Sequence, residues 1–302
     1  MASETTTSGA GSANPTIIDE ELILEIRESV IALPLFDMVD LTNMPGLSYT
    51  FPDLTSTTSL TPIGTGANEA DAVANSELTT SARTATAASK AAYVTISDLN
   101  MSAATVDWRA ATTGILARAA ADLMDVDALA LLSSFSLNAA GSTAVALSVA
   151  ALRAAVTSFR TNAKAQSGLG VIVLHPTAIG QIEAELQSGT GAGLASVFVN
   201  SDLAKWFQST PGTGVLQSYR GNYSGIPVLS STNCPSINSN VDWGGAIFAR
   251  QAALGGVLKW QAQVRWYDAG VNRQLAQVAQ VRTAYGFVEK KDALGISITS
   301  VK

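Results

Sequence analysis

The chain has 302 residues, enough for one large or two modest domains with a real core. Only 14% of them are charged, well under the quarter or so of ordinary soluble domains, and the net charge is −6. That balance excludes tight nucleic-acid binding through a basic face, and a single cysteine, Cys234, excludes an internal disulfide or a multi-cysteine metal site. Ala, Ser, Thr and Gly fill the place of the missing charge. This composition fits either a small-residue soluble surface or a surface largely buried in an assembly, since interface cores are depleted in charge.

Residues 1–15 are small and polar, with no basic and apolar leader of the secretory kind, and are expected to be disordered alone. An amphipathic helix follows. Ile18, Leu22, Ile26, Val30 and Leu33 mark one face, Thr16 and Asp19 resemble a capping box, and Pro34 is expected to end it.

Residues 47–98 read as one very long β-hairpin. Leu47, Tyr49 and Phe51 alternate with polar residues, a Gly/Thr/Pro turn region runs from Thr61 to Asp71, and a Thr/Ala/Ser-rich strand returns from Glu77 to Asp98. Between Leu54 and Ala91 large apolar side chains almost vanish. A two-stranded ribbon without an apolar face is marginal alone in water. It is therefore expected to leave the body and lie on another copy of the chain.

After a short helical turn at Ser97–Met101, a long helix is predicted from Thr105 to Phe135, with Leu116, Ala119, Leu123, Val126 and Ala130 as its apolar stripe. Asp122 and Asp125 lie off that stripe, on what is expected to be a solvated face; Gly114 is a possible bend. A helix over Ser148–Ala165 buries Leu152, Val156 and Phe159. A strand at Gly170–Leu174 leads through His175-Pro176 into another helix with Ile179, Ile182 and Leu186. Strands are then predicted at Gly225–Leu229, Ala246–Ala249, Gly256–Trp260, Val264–Tyr267, Leu275–Thr283, Tyr285–Val288 and near the end, with a turn at Asn233-Cys234-Pro235. No uncharged apolar run approaches the roughly 18 residues of a membrane helix.

Catalytic patterns are scarce. His175 is the only histidine, and it sits at a strand-to-helix junction where a capping or packing role is the expected one. Asn222-Tyr-Ser224-Gly225 lacks the glycines of a nucleophile elbow. Gly189-Thr-Gly191-Ala-Gly193 has Leu194 where a dinucleotide fingerprint needs glycine. No phosphate-cradling Gly-Lys-Ser/Thr occurs, so no cofactor and no metal site is expected.

The order of elements carries a resemblance. Glu77-Leu78 to Ser97-Asp98, Ile115–Ala119 with Asp125, Asp127 and Ala128–Ala130, Val173-Leu174-His175-Pro176-Thr177, Gly225-Ile226-Pro227-Val228 before Cys234-Pro235, and Tyr285-Gly286-Phe287 with Asp292–Leu294 together resemble the major capsid protein of tailed bacteriophages, the Hong Kong 97-type fold. The resemblance implies an α+β fold. Its parts are an N-terminal arm and helix (1–46), an extended loop (47–98), a peripheral domain with the spine helix (99–136), a mixed α/β axial domain (137–250) and return strands (251–302).

It also implies a structural, non-enzymatic protein that forms pentamers and hexamers of an icosahedral shell around viral double-stranded DNA, assembled in a host cytoplasm. Expected assembly-interface residues are Glu69, Asp71, Glu77, Arg83 and Lys90 of the loop and Ile18 and Leu22 of the arm. The implied partners are a separate scaffolding protein, a portal, possible cement protein and packaged DNA as a non-specific neighbour. Lys90 lies near the base of the loop, so subunit cross-linking through a loop lysine is not expected. An encapsulin-like compartment shares the implied fold, and a soluble α/β enzyme is the rival of another class.

Overall fold

The computed structural model describes residues 4–5, 31–56, 78–103, 108–163, 168–187, 218–268 and 275–302. The predicted N-terminal helix, the ribbon tip and the glycine-rich loop at 189–193 lie outside these residues. Two sheets organise the rest.

The first sheet has the order β1-β5-β13-β12-β2. Its strands are β1 (Glu4–Thr5), β2 (Asp37–Asp40), β5 (Ala88–Ser97), β12 (Leu254–Asp268) and β13 (Ala276–Glu289). The four short strands expected over 256–288 are in fact two long ones. Irregular register at Leu258/Trp260 and Trp260/Gln263 lets β12 bend without ending, and β13 runs unbroken through Gly286.

The second sheet has the order β6-β14-β11-β7-β9-β8, with β10 also paired to β11. It comprises β6 (Asn138–Ala140), β7 (Gly170–Leu174), β8 (Tyr219–Tyr223), β9 (Ile226–Ser230), β10 (Ser236–Ile237), β11 (Asp242–Ala249) and β14 (Gly295–Val301). All five residues of β7 are buried, and six of the seven in β14. Continuous burial of this kind marks strands covered on both faces: β7 is wholly apolar, while β14 buries Ser297, Thr299 and Ser300 between its isoleucines. Helices α3 (Val149–Ala163) and α4 (Pro176–Gln187) accompany this sheet, and Leu152, Val156 and Phe159 enter the main core with Ile172, Ile247 and Phe248.

A short helix α1 (Asp98–Ala103) precedes the spine α2 (Trp108–Leu129), which continues as a 3₁₀ turn over Ala130–Ser133. Helix α2 is unbroken at Gly114, where an added Cβ would meet nothing, so the residue marks no bend. Its buried stripe is Leu116, Ala120, Met124 and Ala128, not the expected one. Leu123 and Val126 are 42% and 40% exposed. Alanine on nearly every side of this helix lets two stripes one residue apart fit the same sequence, and packing on Ala279 and Val281 of β13 selects the second. Pro34 lies inside a 3₁₀ turn, Leu33–Leu35, where its missing N–H leaves no bond unmade.

Candidate assembly surfaces

Strands β3 (Ser48–Ser56) and β4 (Leu78–Thr86) form a separate two-stranded ribbon, paired from Ser48↔Thr86 to Ser56↔Leu78. At its base the ribbon rests on the body. Phe51 and Ala85 are buried with Leu41, Ala87 and Val257. Lys291 donates to Asp53 at 2.9 Å, and the Lys290 ammonium stands 5.0 Å from the Phe51 ring centre while pairing with Asp37.

The close fit has a specific cause. A Cβ on Gly286 would lie 2.0 Å from the Thr86 carbonyl oxygen, so β13 must carry glycine where the ribbon joins the body. The strand opposite these anchors differs. Ser81, Ala82, Arg83 and Thr84 are exposed, and Thr50 and Thr84 face each other hydroxyl to hydroxyl at 3.0 Å. Met44, Leu47 and Tyr49 add an exposed apolar rim at 51%, 53% and 37%.

Of the residues expected at an assembly interface, Arg83 is exposed on β4, opposite Phe51 in register. Glu69, Asp71, Glu77, Ile18 and Leu22 lie outside the described residues. Lys90 is half-buried on β5 and engaged within its own subunit. It pairs with Asp127 of the spine and stands 5.1 Å from the Tyr285 ring centre. The Tyr285 hydroxyl donates to the same carboxylate. Burial first, and then the Asp127 hydrogen bond and negative charge, push the Tyr285 phenol well above its ordinary value.

Asp125 overturns the expectation of a solvated acidic face. It is fully buried. Its Oδ1 accepts the N–H groups of Ile31 at 2.9 Å and Ala32 at 2.8 Å, and the Asn233 amide donates to Oδ2 at 3.1 Å and to Asp122 at 3.0 Å. One carboxylate thus joins the N-terminal strand entry, the spine and the turn before the buried Cys234. The sequence signal was present but weak: a carboxylate one residue after Met124, on the side of the helix that the correct phase turns inward.

His175 occupies the start of α4. Its Nδ1 accepts the Thr177 N–H at 3.2 Å, and its ring stacks on Trp243 with centroids 3.8 Å apart. Among the described residues no group of three or more His, Cys, Asp or Glu is placed to hold a metal ion.

Leu123 and Val126 of the spine, with Lys90, Ala91 and Ala92 of β5, enclose a groove of about 320 Å³ above Val281.

No family model matches the chain, and no curated protein does. Solved structures do. The capsid of Ralstonia phage GP4 superposes with a TM-score of 0.67 at 14% identity, over 99% of this chain and 98% of that one. The capsid of the native GTA particle gives 0.64 at 13% identity, covering 98% of each chain. A structure from Mycobacterium phage Che8 gives 0.63 at 14% identity over 94% and 96%. The expected architecture is therefore borne out: the chain has the α+β Hong Kong 97-type capsid fold.

Proposed function

We propose that this chain is a major capsid protein, whose copies assemble as pentamers and hexamers into an icosahedral shell around viral double-stranded DNA. The observation that carries the reading is the ribbon. It is held to the body by Phe51, Asp53 and Gly286, yet Ser81 to Thr84 on its return strand stand exposed directly opposite that anchor. A shell closes through heterologous contacts, and an arm that reaches a neighbour distributes burial over several copies. The near end-to-end likeness to solved phage capsids supports the same conclusion.

In this reading the seven-stranded sheet with α3 and α4 is the axial domain, and the spine with the five-stranded sheet is the peripheral domain. The ribbon, including Glu69, Asp71, Glu77 and Arg83, is the intersubunit contact. Scaffold and portal are separate proteins, a cement protein is an optional addition, and assembly takes place in the host cytoplasm.

Deleting Ser59–Asp71 tests it. The expected result is a folded subunit, judged by circular dichroism and melting, that no longer forms closed particles in negative-stain images when assembly partners are supplied. Normal particles from the deletion refute the ribbon's role. Mass spectrometry of native particles separates this reading from a protein-cargo compartment: DNA and a portal support it, an enzyme cargo does not.

A further inference from the structure

The ribbon crosses the five-stranded sheet on a seat cut by two glycines. Gly255 of β12 stands opposite Val288 of β13, and Val257 stands opposite Gly286. Opposed residues share a face and every second residue returns to it, so these four form one checkerboard, glycine against valine on both rungs. The two valines pack with Phe51 and Ala85 of the ribbon, and the glycines are the gaps between them. A Cβ on Gly255 would lie 2.9 Å from the tip of the Phe51 ring and 2.8 Å from the Lys290 stem. One on Gly286 would lie 2.0 Å from the Thr86 carbonyl oxygen. Neither glycine has a positive φ, so each supplies room and not a special torsion.

The two supports differ in kind. Phe51 reaches the seat through a ring, whereas Thr86 meets it with main chain, at the step where β4 ends and β5 begins. Thr86 is paired with Ser48, and Phe51 lies farther along the same strand. The supports therefore stand roughly 10 Å apart along the ribbon, at about 3.3 Å per residue. Raising either one by about 1 Å to relieve such a contact turns the ribbon by roughly 6°. The Lys291–Asp53 pair lies beyond both and keeps the ribbon down on them.

We propose that the Gly255–Gly286 diagonal fixes the direction in which the ribbon leaves the subunit, and with it the curvature and size of the shell. This rests on the shell reading and adds what sets its geometry. In that reading the ribbon is a heterologous contact, and such a contact closes only when its rotation is right. A turn of a few degrees, repeated at every copy, accumulates around the particle.

The test uses the full chain. Crystal structures of unassembled Gly255→Ala and Gly286→Ala subunits, superposed on the five-stranded sheet, are expected to show the ribbon turned by several degrees in opposite senses, because each variant lifts a different support. Ribbons that do not turn overturn the proposal. Under conditions in which the wild-type chain forms closed particles, both variants are expected to give altered diameters or open sheets in electron micrographs. Phe51→Leu shortens the reach of the ring, so it is expected to restore direction and diameter to Gly255→Ala but not to Gly286→Ala, whose clash is with main chain. Equal rescue of both, or of neither, overturns the diagonal seat. A Gly286→Ala chain that does not fold leaves the decision to Gly255→Ala and its rescue. Absence of particles from the wild-type chain counts against the shell reading, whereas variant particles of wild-type diameter overturn this inference alone.

Discussion

The seven-stranded sheet and the β3–β4 ribbon are built from similar small and β-branched residues, yet they relate to water in opposite ways. Strand β7 is buried at all five positions and sits between β11 and β9, with helices over it. The ribbon buries Phe51 and Ala85 against the body and exposes Ser81 to Thr84 on the paired strand beside them. One is covered within its own subunit, whereas the other is anchored there and leaves part of its return strand in water. On the proposed shell reading, stability and assembly belong to different residues, and substitutions can separate them.

The largest effect is expected in the self-contained sheet. Phe248 is fully buried and packs edge-on to Phe36 and stacked with Phe135. Phe248→Ala is expected to cost about 3–5 kcal/mol, read from denaturant unfolding of the unassembled subunit. A cost under about 1 kcal/mol would break the contrast from the core side.

Asp125 stands at the joint between the N-terminal entry, the spine and the axial turn. Asp125→Ala strands the two buried N–H donors of Ile31 and Ala32, at about 1–3 kcal/mol for each unsatisfied group, and leaves the Asn233 amide with Asp122 alone. The expected result is a loss of several kcal/mol, smaller for Asp125→Asn, which keeps one acceptor oxygen.

Tyr285 lies where the ribbon's return strand meets the spine. Its folded value is raised above the ordinary 10.0, so the folded state keeps the phenolic proton after the unfolded chain has lost it. The stabilisation is fully present below about pH 10 and declines as pH rises above that. Tyr285→Phe removes this dependence. Urea midpoints at pH 8, 10 and 11 are expected to converge for the two proteins as pH rises; a constant gap would remove the linkage.

The smallest effect is expected in the ribbon. Thr84→Ala removes only the exposed hydroxyl pair with Thr50 and is expected to change subunit stability by less than about 0.5 kcal/mol. A larger loss would show that the ribbon is completed within its own subunit.

The sequence allowed much of this fold to be read, and the failures have physical causes. Gly170–Leu174 and the helix after His175-Pro176 were legible because a fully apolar run and a proline in the first turn are local signals. The ribbon was legible through what it lacked. The spine's phase was not, because alanine is too small to mark which side packs, and the choice is made by Ala279 and Val281 far along the chain. The length of β12 and β13 was hidden for a related reason. Glycine at 255, 256 and 286 normally interrupts a strand, but here it makes space for Phe51, Met38 and Thr86. Asp125 went unread since a buried carboxylate is recognised only by the donors it meets, and Ile31, Ala32 and Asn233 are distant in sequence.

The ribbon's returning strand passes through Ala87 directly into β5, which pairs along ten residues with β13. On the proposed shell reading, tension applied lengthwise to the ribbon runs along β5 into its ladder with β13 in the five-stranded sheet. In that direction the ladder is loaded in shear, all rungs together, instead of being unzipped one by one. A ribbon pulled in this direction loads the whole β5–β13 ladder, and the force is spread before it reaches any single bond.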